Sequence, residues 1–226
     1  FPLRDEFRTL KALTATGLLR QRDNNGLYRV GDHLAKLEYP MNTASLDHAA
    51  ERFRYLYEAY LKDAGSRVYL SLIPDKNYFM AAPNGYPSID YEQFAEDLQS
   101  RTGYMQYIDI FDLLELEDYY RTDAHWRQEK ILDVAARLAG GMGVELTGSY
   151  TRKTLEKPFY GVYYGQAALP IAPEDMNYLT GGAIDTAAVY NYETDTEGGI
   201  YDAEKAAGRD PYEMFLSGSV SLLRIE

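Results

Sequence analysis

The 226-residue chain alternates between stretches whose apolar positions recur every three or four residues and short unbroken apolar runs. Near the start, Phe7, Leu10 and Leu13 fall at helical spacing within 4–16, which predicts a short amphipathic helix. A longer helix is predicted from about Leu46 to Lys62. There Leu46, Ala50, Phe53, Tyr57 and Leu61 form one stripe opposite Glu51, Arg52 and Glu58, with Ser45 or Asp47 as cap and Gly65 as stop. Two more helices are predicted: Tyr91 to Arg101, with Phe94 and Leu98 on one side, and His125 or Trp126 to about Leu138, with Ile131, Val134, Ala135 and Leu138 aligned. Between them lie runs of strand length, Arg67 to Ile73 closed by Pro74, and Tyr104 to Ile110. Strand, helix, strand, helix at this spacing predicts an α/β fold with a parallel sheet covered by helices.

Two regions follow a different pattern. Asp23-Asn24-Asn25-Gly26, then Leu27 to Val30 and Gly31-Asp32, predict a hairpin or a pair of short strands. After Gly143 the chain becomes dense in Thr and Tyr, broken by Gly181-Gly182, Gly198-Gly199 and Gly208. Ala187 to Glu193 and Ser219 to Ile225 are strand-like, and Ala203 to Phe215 holds a short helix. Residues 145–200 therefore read as a β-rich or irregular insertion within a single α/β domain spanning 1–226.

Composition narrows the possible chemistry. The net charge is −12, from 35 acidic and 23 basic residues, and no basic stripe offsets it. Such a surface repels nucleic acid and anionic lipid. No apolar run is long enough to span a bilayer. Cysteine is absent, which excludes disulfides, thiolate metal sites and a cysteine nucleophile. Tyrosine is abundant, 22 against 8 Phe and one Trp, and serves either a half-wet core or a groove that stacks on sugars. No cofactor or metal site is expected. Gly140-Gly141-x-Gly143 closes a helix rather than opening one, and the acidic residues from Asp109 to Asp118 lack the oxygen-ligand spacing of a calcium loop.

The candidate chemistry lies in YYRTDAHWRQEK, Tyr119 to Lys130. A carboxylate that holds one ring nitrogen of a histidine fixes its tautomer and stabilises the imidazolium, which makes the other nitrogen a general base. Asp123 and His125 meet this need in a loop but not in a helix, where residues two apart point to different sides. The same string also suits a helix start, with Thr122 or Asp123 as cap and His125 as an ordinary first-turn residue. Spacing alone leaves both readings open. The other two histidines, His33 and His48, have no such neighbours.

The string YYRTDAHW resembles the Asp-His-His-Trp motif of the DHHW family, with Ala124 in place of the middle His. It is also similar to the Thr-Asp-x-His-Trp strings of alginate O-acetylation proteins in the SGNH-hydrolase superfamily. FPLRDEFRTLKA, DNNGLYRVGD, VYLSLIPDK and DPYEMFLSG resemble further family segments in the same order and bracket nearly the whole chain. The resemblance implies a flavodoxin-like, SGNH-like α/β fold in which Asp123 orients His125 and His125 activates a serine toward an ester or acyl donor. It places Trp126 as substrate floor or core anchor and Tyr119 and Tyr120 along the approach. Lys76, at the end of a predicted strand, is an accessory candidate.

In these relatives the serine follows in an Asp-Ser turn. This sequence has no Asp-Ser dipeptide and no Gly-x-Ser-x-Gly elbow, and Ser217, Ser219 and Ser221 lack a strand-turn-helix setting. The expectation is a chain that stops short of its nucleophile and is inactive by itself, or a relative that binds without catalysis. We expect an extracytoplasmic bacterial envelope protein related to polysaccharide O-acyltransferases and esterases. It would be tethered through a removed segment upstream of Phe1, with cell-surface polysaccharide, an acyl donor or another envelope protein as partner. The alternative is a glycan-binding or scaffold protein of the envelope.

Overall fold

The computed structural model describes residues 2–226; Phe1, the first residue of the family-like opening segment, lies outside them. The protein is mixed α/β, built from short helices and small sheets. It divides into two compact units. One contains the chain up to Leu34 together with Glu117–Leu132 and Leu146–Glu226; the other contains Ala35–Leu116 and Asp133–Glu145. Residues 146–200 share a unit with the N-terminal segment and the C-terminal residues.

In the first unit, α1 (Arg4–Leu13) runs into one wider turn at Thr14–Leu18. Its predicted stripe of Phe7, Leu10 and Leu13 is exposed, and Ala12 is the residue it buries. Ala12 lies in a cluster with Leu27, Leu34, Ala167, Leu169 and Ile171. The hairpin appears as expected, β1 (Leu27–Val30) against β2 (His33–Lys36). Asn25 and Gly26, both with positive φ, make the turn that leads into it. After β5 (Thr151–Thr154) and α6 (Val162–Ala167), β6 (Asn177–Thr180) pairs antiparallel with β5, Thr151 opposite Thr180. Following α7 (Ala183–Thr186), β7 (Val189–Asn191) lies between β8 (Thr196–Gly198) and β9 (Leu223–Ile225). The predicted helix in 203–215 is two pieces, α8 (Ala203–Ala207) and a 3₁₀ turn at Pro211–Met214, each capped by an aspartate. A second core, of Tyr120, Phe159, Met176, Ala206 and Met214, holds this unit's centre.

In the other unit, α2 (Thr43–Leu56) starts earlier than the apolar stripe predicts, because Asn42 caps it by accepting from the Ser45 N–H. The predicted strands shrink to β3 (Tyr69–Leu70) and β4 (Gln106–Tyr107), paired in parallel. Between them come α3 (Lys76–Met80) and α4 (Tyr91–Arg101), the latter over the predicted residues. Leu46, Ala50 and Leu98 form the core, with Leu70, Leu72 and Phe94 against it. The helix predicted from residue 125 or 126 begins only at Leu132, as α5 (Leu132–Gly141). Residues 126 and 127 are engaged in backbone pairing with 118 and 119, so the chain cannot turn helical there. At its far end Gly141 lies against Ile108; a Cβ there would approach Ile108 Cδ1 to 2.5 Å.

Candidate active site

Residues 118–127 fold back on themselves. The Arg127 N–H donates to the Asp118 carbonyl at 2.6 Å and the Tyr120 N–H to the His125 carbonyl at 3.0 Å, with Tyr119 bridged to Trp126. The tip, 121–125, is a bend outside any helix, the setting that lets Asp123 and His125 face one another.

Buried groups fix the tip from below. Glu174 accepts the N–H groups of Arg121 and Thr122 on one carboxylate oxygen, at 2.7 and 3.3 Å. Thr122 Oγ1 accepts the Gly161 N–H at 2.9 Å, and its carbonyl accepts the Tyr163 N–H at 2.9 Å. Gly161 is needed for close approach, not for backbone freedom. A Cβ there would lie 2.4 Å from the Asp123 Cβ and 2.5 Å from the Thr122 carbonyl oxygen.

The Asp123 side chain is 1% exposed and divides its oxygens between two tasks. Oδ2 accepts the Val162 N–H at 2.8 Å, at the first turn of α6. Oδ1 accepts the His125 N–H at 3.1 Å and faces the ring Nδ1 at 2.5 Å. Burial opposes the charge on Asp123, but the imidazole and the two N–H groups outweigh it and hold the carboxyl below the usual range. Asp123 therefore caps a helix after all, but α6 rather than the one that follows it in sequence, and it orients His125 at the same time. The His125 side chain is 51% exposed, and no hydrogen bond of the described residues ends on its Nε2.

Sequence reasoning missed the residue that touches the imidazole face. Tyr212 stacks on His125, centroids 4.0 Å apart and planes 16° off parallel. It stands in the 3₁₀ turn capped by Asp210, whose carboxylate accepts the Tyr212 N–H at 3.1 Å. Burial, then the charges of Asp123 and Asp210, push the Tyr212 phenol up to about 12. Asp210 is itself raised, by burial first and by the Asp123 and Glu213 charges next. DPYEMFLSG contains both residues, but a contact eighty-odd positions from His125 leaves no local spacing to read.

The other predicted site residues fare differently. Tyr119 and Tyr120, expected along the approach, are 2% and 0% exposed. Tyr120 is edge-on to Phe159 at 4.8 Å, and the Arg127 guanidinium sits over its ring. These tyrosines are corrected to core residues that carry the loop from beneath. Trp126 is half-buried beside the same loop. Lys76, the accessory candidate, is 2% exposed in the first turn of α3, in the other unit. Ala124, where the family motif has its middle His, is exposed. Ser217 donates to Asp202 at 2.9 Å.

Beside the pair lies an open cavity of about 600 Å³. Gly161 and Val162, whose N–H groups hold Thr122 and Asp123, line it together with Tyr160, Tyr164, Arg8, Arg209, Asp210 and Glu213. The rings of Tyr160 and Tyr164 lie 4.5 Å apart.

The chain matches no protein-family model and no curated protein. It does resemble solved structures over most of its length. A DHHW family protein from Eubacterium siraeum is 20% identical, with a TM-score of 0.67 over 90% of this chain and 72% of that one. Bacillus cereus PatB1 is 14% identical, with a TM-score of 0.59 over 84% of this chain and 71% of its own. The same protein with a sulfonyl adduct gives 16% identity and a TM-score of 0.66, over 88% and 73%. At these identities the likeness is one of fold.

Proposed function

We propose that this is an SGNH-like protein of the bacterial envelope whose Asp123–His125 pair serves acyl transfer or ester hydrolysis on a cell-surface polysaccharide. The observation that carries the reading is the buried carboxylate on Nδ1 of a half-exposed imidazole whose Nε2 receives no hydrogen bond among the described residues. This is the arrangement that makes an imidazole a base toward a hydroxyl. Two similarities support it: the Thr-Asp-x-His-Trp string, and the fold shared with a DHHW protein and with PatB1. In the SGNH reading, β3 and β4 belong to the parallel sheet of a flavodoxin-like domain.

His125 Nε2 takes the proton of a serine hydroxyl as the oxygen attacks the acyl carbonyl carbon. The tetrahedral intermediate collapses when the imidazolium returns that proton to the leaving alcohol, leaving an acyl-serine. Water or a sugar hydroxyl, deprotonated in turn by His125, then attacks the acyl-serine, and the imidazolium returns the proton to the departing serine oxygen. Asp123 stays ionised throughout and stabilises the imidazolium. Among the described residues no serine is hydrogen-bonded to His125, and the proposal assigns the nucleophile to no particular serine. The cavity lined by Tyr160 and Tyr164 takes the substrate-binding role first assigned to Tyr119, Tyr120 and Lys76, since tyrosine faces stack on sugar rings.

The same cavity favours a second reading, a glycan-binding envelope protein without catalysis. Acetyl-ester hydrolysis by the full-length protein separates the two. Hydrolysis that disappears in His125→Ala supports the first reading; glycan binding with no hydrolysis supports the second.

A further inference from the structure

Asp123 fixes one edge of the His125 ring, but a single hydrogen-bonded edge leaves the plane free to tilt about that contact. The stacked Tyr212 removes this freedom. Its own ring is anchored edge-on to Tyr120 at 6.1 Å and against Phe215 at 5.1 Å, both part of the aromatic core. The turn that presents it is set by the Asp210 cap, by Pro211 and by buried Met214. We propose that Tyr212 is a positioning residue for His125: it forms a rigid aromatic wall that, with Asp123, holds the imidazole plane so that Nε2 faces outward, and it shields the Nδ1–H from water. The charged and titratable groups that bear on the ring are Asp123 from its own loop and Tyr212 and Asp210 from the facing turn.

The inference rests on the acyl-transfer reading for its purpose but not for its test. Nuclear magnetic resonance of ¹⁵N-histidine-labelled protein reads the His125 Nδ1–H directly. Wild type and Tyr212→Phe, which keeps the ring, should show a protected Nδ1–H. In Tyr212→Leu it should exchange about five- to ten-fold faster, the size expected for one aromatic contact. Where the Leu variant does not fold, Tyr212→Met takes its place with the same expectation. In the full-length protein, ester hydrolysis should lose kcat by a similar factor in the Leu variant, with KM unchanged and Phe restoring the rate. Equal Nδ1–H exchange in wild type and Leu, or a Phe variant as impaired as Leu, overturns the proposal. Differing exchange with no hydrolysis in any variant leaves Tyr212 as the positioning residue and overturns the acyl-transfer reading instead.

Discussion

Asp123 contributes more than its side-chain volume suggests, because its two oxygens hold the start of α6 and the imidazole together. Asp123→Asn keeps the shape but places an amide where the Nδ1–H needs an acceptor. It should lower the acyl-transfer rate by about 10²–10⁴, read from steady-state kinetics. The depressed carboxyl also ties stability to pH. Its folded value lies below the unfolded one, so its stabilisation is complete above about pH 4 and is lost as pH falls through the lower folded value. Glu174 has the opposite sign. Burial raises its carboxyl, so the native state loses stability as pH climbs through that raised value. Compared with wild type, Glu174→Gln should therefore melt relatively higher at pH 7 than at pH 4. A smaller relative advantage at pH 7 would show that the Arg121 and Thr122 contacts outweigh the burial.

Among the elements, the site depends on how closely 121–123 and 161–163 approach. Gly161→Ala puts a methyl group well inside van der Waals contact with Asp123 and the Thr122 carbonyl, and backbone must move to admit it. We expect a loss of about 1–3 kcal/mol by denaturant unfolding, with activity falling more steeply than stability. This scale also separates what local sequence could reveal from what it could not. Asp-x-His in a loop was one of two readings that the spacing left open, and the bend at 121–125 is what lets the two side chains meet. The helix assigned from residue 125 was not legible, because its start is displaced by pairing with 118 and 119, and that pairing has no periodic signature. The apolar positions of α1 predicted a helix correctly and its buried face wrongly; small Ala12, not Phe7 or Leu10, meets the core.

For the whole molecule, alternating apolar runs foretold a mixed α/β chain, and the structure is one. The predicted sheet was legible only as far as β3 and β4. The grouping of 146–226 with the N-terminal segment was not legible, since it depends on contacts more than a hundred residues apart, such as Asn24 Nδ2 donating to the Ala167 carbonyl. Tyr212 and the cavity beside Val162 were hidden for the same reason.

The central claim, that Asp123 and His125 form a working base, is tested most directly by acetyl-ester hydrolysis in the full-length protein, wild type against His125→Ala. The account predicts measurable turnover in wild type and a loss of at least about a hundredfold in the variant. Equal rates, or no turnover in wild type, would contradict it.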